Sequence, residues 1–159
     1  MSNLNPYEHF LDGRPVEEIL AATPEALRQV AHALTEQQLA SPIQPGKWSP
    51  AQIITHLADC DLAFGFRLRQ TLAEENHLVQ PFDQDKWAVQ SAGISAHQAL
   101  AAFTALRAWN LRLIQAALPA HANKAVRHPE RGSMTFLTIV ETMAGHDLNH
   151  LAQLKKLVA

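Results

Sequence analysis

The amino-acid sequence predicts an all-α fold, an antiparallel four-helix bundle with a long crossover between helices 2 and 3. Four long segments carry apolar residues at steps of three and four, cap residues precede several of them, and no segment shows convincing strand alternation. The chain has 159 residues, 47% hydrophobic and 18% charged, which is the composition of a folded protein. We therefore expect one four-helix-bundle domain over residues 1–159.

The first helical segment follows an irregular lead-in over residues 1–15, which contains two prolines and a glycine. It begins at Val16. Thr23 and Pro24 are expected to interrupt it, because threonine is a good helix cap and proline suits the first position of a new helix. The second piece is predicted to run to about Leu34.

The second helix has the clearest start in the sequence. Ser49 is a cap residue, Pro50 follows at the first helical position, and Gln52 can complete a capping box. The helix is predicted to run to about Glu75, and its apolar stripe is expected to be core: Ile53, Leu57, Cys60, Phe64, Leu68 and Leu72. His56 lies on the shoulder of this stripe, where a side chain can face a cavity between helices.

Residues 76–94 show neither helical nor strand periodicity and are predicted to form the long crossover, with one turn around Lys86–Gln90. Long loops in compact domains often carry function. Two interpretations are open: its side chains roof a site, or they anchor a packed connection. The side chains concerned are Phe82, Asp83, Asp85 and Trp87.

The third helix is predicted to begin after Ser95, because Ser95 and Gln98 can form a capping box. It is predicted to end at Pro119. Residues 120–133 are predicted to be a loop. The last helix is expected from about Met134 to Leu157. Trp48 and Trp109 are interpreted as core anchors.

Charge and composition exclude several classes of function. The net charge of −2 and the pI near 6.5 give no basic surface for a nucleic acid. The N-terminus lacks the pattern of a secretory signal, and no apolar run approaches a membrane span. We expect a cytoplasmic protein with a small-molecule substrate. The single cysteine, Cys60, cannot form an internal disulfide and is expected to be an inert buried thiol.

Two histidines near the C-terminus carry the main chemical signal. His146 and His150 are four residues apart, so both project from one side of the last helix, and Asp147 lies near the centre of its buried face. His56 is the best third partner, because it lies in a regular helix that faces the bundle. The six other histidines are expected to be solvated.

Three neutral imidazoles from two helices would hold a divalent metal and leave coordination positions open, as in catalytic zinc sites; nickel also suits imidazole. The open position could hold an acidified water or a substrate thiolate. Asp147, Asp59 and Asn149 are candidates for orienting the histidine rings. For Asp59 and Asn149 a solvated polar face is an equal alternative. The His-Glu-x-x-His protease motif is absent, because Asp147 follows His146.

Two segments in this order resemble the DinB/YfiT-like superfamily. They are Lys47-Trp48-Ser49-Pro50-Ala51-Gln52-Ile53-Ile54-Thr55-His56-Leu57-Ala58-Asp59 and His146-Asp147-Leu148-Asn149-His150-Leu151-Ala152-Gln153-Leu154. The resemblance extends from Pro15 to Leu157. It implies an antiparallel four-helix bundle, commonly dimeric, with a divalent metal on His56, His146 and His150. Family members are described as metal-dependent hydrolases, and some as transferases acting on thiols such as bacillithiol or mycothiol.

The first functional hypothesis is therefore a metal-dependent enzyme, a hydrolase or a low-molecular-weight-thiol transferase. Arg67, about three turns beyond His56, could bind an anionic substrate, although a surface ion pair is the alternative. The second hypothesis is a metal-binding stress or ligand-binding protein without turnover, since no general base is evident besides a metal-bound water. A metal-free bundle with three core histidines is the third.

Overall fold

Four long helices form a bundle in the computed structural model, which describes residues 4–158. They are α1 (Val16–Ala33), α3 (Pro50–Ala73), α5 (Ala96–Ala117) and α6 (Phe136–Lys155). Two shorter α-helices, α2 (Glu36–Ala40) and α4 (Gln84–Gln90), and a 3₁₀ turn (Glu8–Phe10) complete the helical elements described. α5 and α6 each pack against both α1 and α3. The predicted four-helix bundle is confirmed.

Two of the predicted helix starts have the expected hydrogen bonds. At α3 the Ser49 hydroxyl accepts the Gln52 backbone N–H, while the Gln52 side chain accepts the Ser49 N–H, and Pro50 is the first helical residue. Ser95 and Gln98 repeat this arrangement at α5. Each box satisfies backbone donors that a helix start otherwise leaves unpaired. These local bonds explain why both starts could be predicted.

The expectation that the chain has no strand is wrong. β1 (His77–Leu78) pairs in parallel with β2 (Ala125–His128), and β2 pairs antiparallel with β3 (Gly132–Thr135). The predicted loop over 120–133 thus contains most of a hairpin, and α6 begins at Phe136, two residues after the predicted start. Strands of two to four residues are too short for periodicity to reveal.

The predicted interruption at Thr23 and Pro24 is also wrong, because α1 continues through both. The Thr23 hydroxyl donates to the Ile19 carbonyl within the helix instead of capping a new one. Proline has no N–H for the carbonyl four residues earlier, which is that of Leu20. The Leu20 oxygen instead accepts a hydrogen bond of 3.1 Å from the Arg107 guanidinium of α5. A tertiary contact therefore replaces the bond that Pro24 removes.

The core consists of two adjoining apolar groups. One is built mainly around α6 and the sheet, with Phe136 and Ile114 fully buried, and the other lies between α1, α3 and α5, with Leu57 and Phe103 fully buried. Trp109 was interpreted as a core anchor, and this is wrong: its side chain is 66% exposed and lies under the Arg69 guanidinium. Trp109 lies on the outer face of α5.

A buried ion triad joins the helices. The Arg107 guanidinium donates to Asp61 Oδ1 at 2.8 and 3.0 Å and to the two carboxylate oxygens of Asp147 at 2.5 and 3.2 Å. None of the three side chains is more than 3% exposed. Asn110 adds a donor to the Asp61 carboxylate at 3.1 Å. Together with the Leu20 carbonyl, Arg107 thus contacts α1, α3 and α6 from α5.

The charges of the triad depend on one another. Burial acts to lower the pKa of Arg107, but the carboxylates of Asp147 and Asp61 outweigh it and raise that pKa above its ordinary value. Burial raises the pKa of Asp61, an effect that Arg107 opposes. Two carboxylates around one guanidinium are stable in the core only as long as all three groups are present.

Replacing Arg107→Ala should lower the free energy of unfolding by about 3–5 kcal/mol, since two buried carboxylates lose their counter-charge. Urea denaturation measures this change. The loss should be smaller at pH 5 than at pH 7.5: Arg107 opposes the burial that raises the pKa of Asp61, so without Arg107 this pKa rises further, and the folded variant more readily takes up a proton that removes the unpaired buried charge. Arg112→Ala, an exposed arginine of the same helix, is the control and should change stability by less than about 0.5 kcal/mol. Equal losses in both variants would contradict a structural role for the triad.

Candidate metal centre

Three histidine rings meet in the core between α3 and α6. Nε2 of His146 lies 3.0 Å from Nε2 of His56 and 3.2 Å from Nε2 of His150. One ring nitrogen of each histidine lies within 4.8 Å of the other two, and all three residues are buried. The three residues that the sequence singled out are therefore brought together, with their ring nitrogens facing one point.

Helical geometry and aromatic packing position these rings. His146 and His150 are one turn apart on α6, with ring centroids separated by 4.6 Å. His56 comes from the neighbouring helix α3, and its ring packs edge-on against both of theirs at about 5 Å. Trp48, which precedes α3, also packs against the His56 ring, with centroids 4.8 Å apart. The pair on α6 and the single ring on α3 are thus held by two separate elements.

The environment keeps all three imidazoles neutral. Burial lowers the pKa of His56 to about 4, with a further contribution from the neighbouring His150. Burial lowers the pKa of His146 well below its ordinary value, and the nearby His150, His56 and Arg107 act in the same direction. Burial also lowers the pKa of His150. Neutral imidazole is the form that binds a metal, because its unprotonated nitrogen has a free lone pair.

The donor set fits a divalent metal. Tetrahedral bonds of about 2.0–2.1 Å from zinc to nitrogen would separate two ligand nitrogens by about 3.4 Å, close to the two distances of 3.0 and 3.2 Å. The outer nitrogen of His150, Nδ1, is buried without a hydrogen-bond partner among the described residues. Metal-binding histidines usually donate this second N–H to an acceptor. The set therefore matches a divalent metal in donor type and in nitrogen spacing.

The three polar residues predicted to orient the rings bind elsewhere. Asp147 is buried as expected, but its carboxylate accepts from Arg107. Asp59 accepts from Ser91 at 3.4 Å, and Asn149 accepts from Gln153 one turn further along α6. None of the three has a described hydrogen bond to a histidine of the cluster. Asp147 instead fixes α6 itself, directly beside His146.

Cys60 lies close to the cluster. Its sulfur is 3.5 Å from Nε2 of His56, one turn earlier on α3. Burial raises the pKa of the thiol, and the negative charges of Asp147 and Asp59 add to this effect. The thiol is therefore neutral, in line with the prediction that it is inert.

Tyr7, in the lead-in, forms part of the wall around the cluster and was not predicted as a site residue. Its ring packs edge-on against His146 with centroids 5.1 Å apart. The main chain at Tyr7 comes so close to α6 that a Cβ on Gly145 would lie 2.5 Å from the Tyr7 carbonyl oxygen. Only glycine allows this approach. The glycine directly before His146 was the available sequence signal.

A cavity of about 190 Å³ opens beside the cluster, with His146 and Cys60 in its wall. Arg67, the predicted substrate-binding residue, also lines it, together with Phe82 from the crossover. Arg67 donates to the Gln80 carbonyl at 3.0 Å and is in none of the described ion pairs, contrary to the surface ion pair considered as its alternative. A larger open cavity of about 590 Å³, beside Trp48 and Lys156, has none of the three histidines in its wall.

The crossover and the hairpin both contribute to the cavity beside the cluster. Phe82 and Trp87 pack together, with ring centroids 4.7 Å apart, and Asp83 caps α4. His128 on β2 and Arg131 in the hairpin turn line the cavity from the other side. The prediction that His128 is solvated is wrong, because it is 8% exposed. The cause is the sheet, which places alternate residues of β2 inward.

Comparison with known proteins identifies the family. The DinB superfamily pattern matches residues 19–154, most of the chain. The protein belongs to the DinB superfamily. A relative from Oceanobacillus iheyensis, 28% identical over 84% of this chain and 78% of its own, is named "Putative metal-dependent hydrolase". A relative from Geobacillus kaustophilus with the same designation is 29% identical over 89% of this chain and 83% of its own.

A solved structure supports the fold of this DinB superfamily member. YfiT from Bacillus subtilis superimposes with a TM-score of 0.83 at 23% sequence identity, over 89% of this chain and 83% of that protein. YfiT is described as "a probable metal-dependent hydrolase with an unusual four-helix bundle topology". At this identity the likeness shows a common fold. Within residues 4–158, no helix is both long enough and apolar enough to cross a membrane.

Gly145→Ala tests the close approach of Tyr7 to α6. In an ordinary helix this exchange stabilises by about 1 kcal/mol, yet here the added methyl group overlaps the Tyr7 carbonyl, so we expect a loss of about 1–3 kcal/mol in the free energy of unfolding. Chemical denaturation measures it. The exposed Ala152→Gly on α6 is the control, which gives the propensity term alone. A stabilised Gly145→Ala variant would show that the lead-in does not pack against α6 in this way.

Proposed function

We propose that this protein is a divalent-metal-dependent hydrolase whose metal is held by His56, His146 and His150. One observation carries the proposal: three buried, neutral imidazoles from two helices meet next to a cavity. Nε2 of His56 and Nε2 of His150 both lie within 3.2 Å of Nε2 of His146. Burying three imidazoles together without a partner is costly, and a metal provides that partner. The names of the relatives from Oceanobacillus iheyensis and Geobacillus kaustophilus agree with this chemistry.

When bound, a metal of this kind polarises a substrate carbonyl and lowers the pKa of a coordinated water toward neutrality. The residues of the chain would hold the metal, pack around its ligands and give a substrate access to it. His56, His146 and His150 supply neutral nitrogens; Tyr7 packs against His146 on the side of the lead-in. Arg107 fixes the turn of α6 that carries His146 by binding the adjacent Asp147. The cavity lined by Arg67 gives a small substrate a path to His146, which forms part of its wall.

Zinc or nickel is the proposed ion, because both accept several neutral imidazoles. A low-molecular-weight thiol is the proposed alternative to water as the nucleophile, which would make the protein a transferase. A metal-binding protein without turnover is the competing function, since the carboxylates of Asp147 and Asp59 bind Arg107 and Ser91 and neither lines the cavity, where a general base would have to lie. A homodimer and a cytoplasmic location stay predictions from the sequence.

Purified protein should contain about one equivalent of divalent metal, and His146→Ala should lose it, because removal of one of three ligands typically weakens binding by orders of magnitude. Elemental analysis gives the stoichiometry. His121→Ala, an exposed histidine, is the matched control and should retain the metal. Unchanged metal in His146→Ala, with the folded state verified by circular dichroism, would refute the site.

Metal-dependent turnover separates the enzyme from the binding protein. The metal-loaded protein is assayed against activated esters, epoxides and thiol conjugates, each with water alone and with an added low-molecular-weight thiol. We expect turnover that chelation abolishes and that zinc or nickel restores. Product analysis distinguishes hydrolysis from thiol transfer. A folded, metal-loaded protein that is inactive across the panel would favour the binding protein.

A further inference from the structure

The cavity beside His146 has a positively charged end. Arg67 of α3 and Arg131 of the hairpin turn both line it. Both are half-buried, and neither takes part in an ion pair among the described residues. Glu130 is the only carboxylate in the cavity wall; it is exposed and pairs with neither arginine. Two like charges thus face one small space, and the one carboxylate described in its wall forms an ion pair with neither.

Arg67 is held in place by groups that do not neutralise it. Its guanidinium lies over the rings of Phe64 and Phe82, at 5.6 and 5.5 Å from their centroids. Its one described hydrogen bond goes to the Gln80 carbonyl, which leaves the other N–H donors free for a ligand. Burial lowers the pKa of Arg67, and the nearby positive charge of Arg131 also acts to lower it. The negative charge of a bound anion would stabilise the charged guanidinium and so oppose this lowering of the pKa of Arg67.

His128 adds a neutral donor to this end of the cavity. Its Nδ1 accepts the backbone N–H of Glu130 at 3.2 Å, so the neutral ring carries its proton on Nε2. Burial and the charges of Arg131 and Arg67 lower the pKa of His128 and outweigh the charge of Glu130, which acts to raise it, so the neutral form of the ring is favoured. His128 can therefore donate a hydrogen bond from Nε2 to an anion without adding a third positive charge.

We infer that the substrate carries an anionic group, a carboxylate or a phosphate, which binds between Arg67 and Arg131 while the bond to be cleaved lies toward His146. A guanidinium presents paired N–H donors that match the oxygen atoms of either anion. The cavity of about 190 Å³ is smaller than a typical drug-sized pocket of about 300–1,000 Å³, so it suits a small acid or the acidic end of a larger molecule. The inference rests on the proposed function for the position of the reacting bond, but the anion site can be tested without turnover.

Calorimetric titration tests the anion site directly. Glutarate and inorganic phosphate are the probes, and the uncharged diamide of glutaric acid is the matched neutral compound. We expect the metal-loaded protein to bind at least one of the anions and not the diamide, and Arg67→Gln and Arg131→Gln each to weaken that binding at least about tenfold. Arg112→Gln, on α5, should leave it unchanged. Comparison of the two dissociation constants shows whether the site prefers a carboxylate or a phosphate.

Coordination of the anion by the metal is the competing explanation. In that case the two arginine variants bind as the native protein does, and His56→Ala, which lacks a metal ligand, loses binding; this result overturns the inference, as does the absence of binding by either anion. If Arg67 and Arg131 are responsible, His56→Ala keeps arginine-dependent binding. Because Arg131 lies in a surface turn, its variant tests the site even if Arg67→Gln perturbs the packing of Phe64 and Phe82.

A kinetic comparison separates this inference from the proposed function. The substrates are 4-nitrophenyl acetate and the 4-nitrophenyl monoester of succinic acid, in which one hydrogen of the acetyl methyl group is replaced by CH2–CO2−. The ratio of kcat/KM for the succinate ester to that for the acetate should fall about tenfold in Arg131→Gln. An unaltered ratio in an active enzyme would contradict the anion site and leave hydrolysis standing. Arginine-dependent anion binding without any turnover would contradict hydrolysis and leave the anion site standing.

Discussion

The Arg107 guanidinium is the contact on which the arrangement of the bundle most depends. From α5 it binds Asp61 on α3, Asp147 on α6 and the Leu20 carbonyl on α1, so one side chain touches all three other long helices. A buried ion triad costs desolvation that an apolar core avoids, and its advantage lies in geometry: charges and donors match in one relative placement of the helices. Such a constraint suits a protein that must keep α3 and α6 in fixed register.

That register matters because the histidine cluster spans the same two helices. His56 comes from α3 and the pair on α6, while Asp147, the residue bound by Arg107, directly follows His146. A small slide of α6 along α3 would separate Nε2 of His56 from that of His146. The triad and the cluster therefore lie side by side on the same interface, and the geometry of the cluster depends on the helix placement that the triad fixes.

The sequence predicted what depends on local spacing. The His146 and His150 pair follows from one helical turn, and the start of α3 follows from the capping box of Ser49. What it missed depends on partners distant along the chain. The helix continues through Pro24 because Arg107, 87 residues further along the chain, donates a hydrogen bond to the Leu20 carbonyl. His128 is buried because β2 pairs with strands on both sides. The residues around Pro24 and His128 show no pattern from which these distant partners could be predicted.

The parallel pairing of His77 and Leu78 with Val126 and Arg127 has a consequence for how the cavity wall behaves. This short ladder joins the crossover, which brings Phe82, to the hairpin, which brings Arg131, although nearly fifty residues separate them along the chain. Backbone hydrogen bonds connect the two segments irrespective of their side chains. A shift in either segment is therefore transmitted to the other, so the two sides of the cavity wall move together rather than independently.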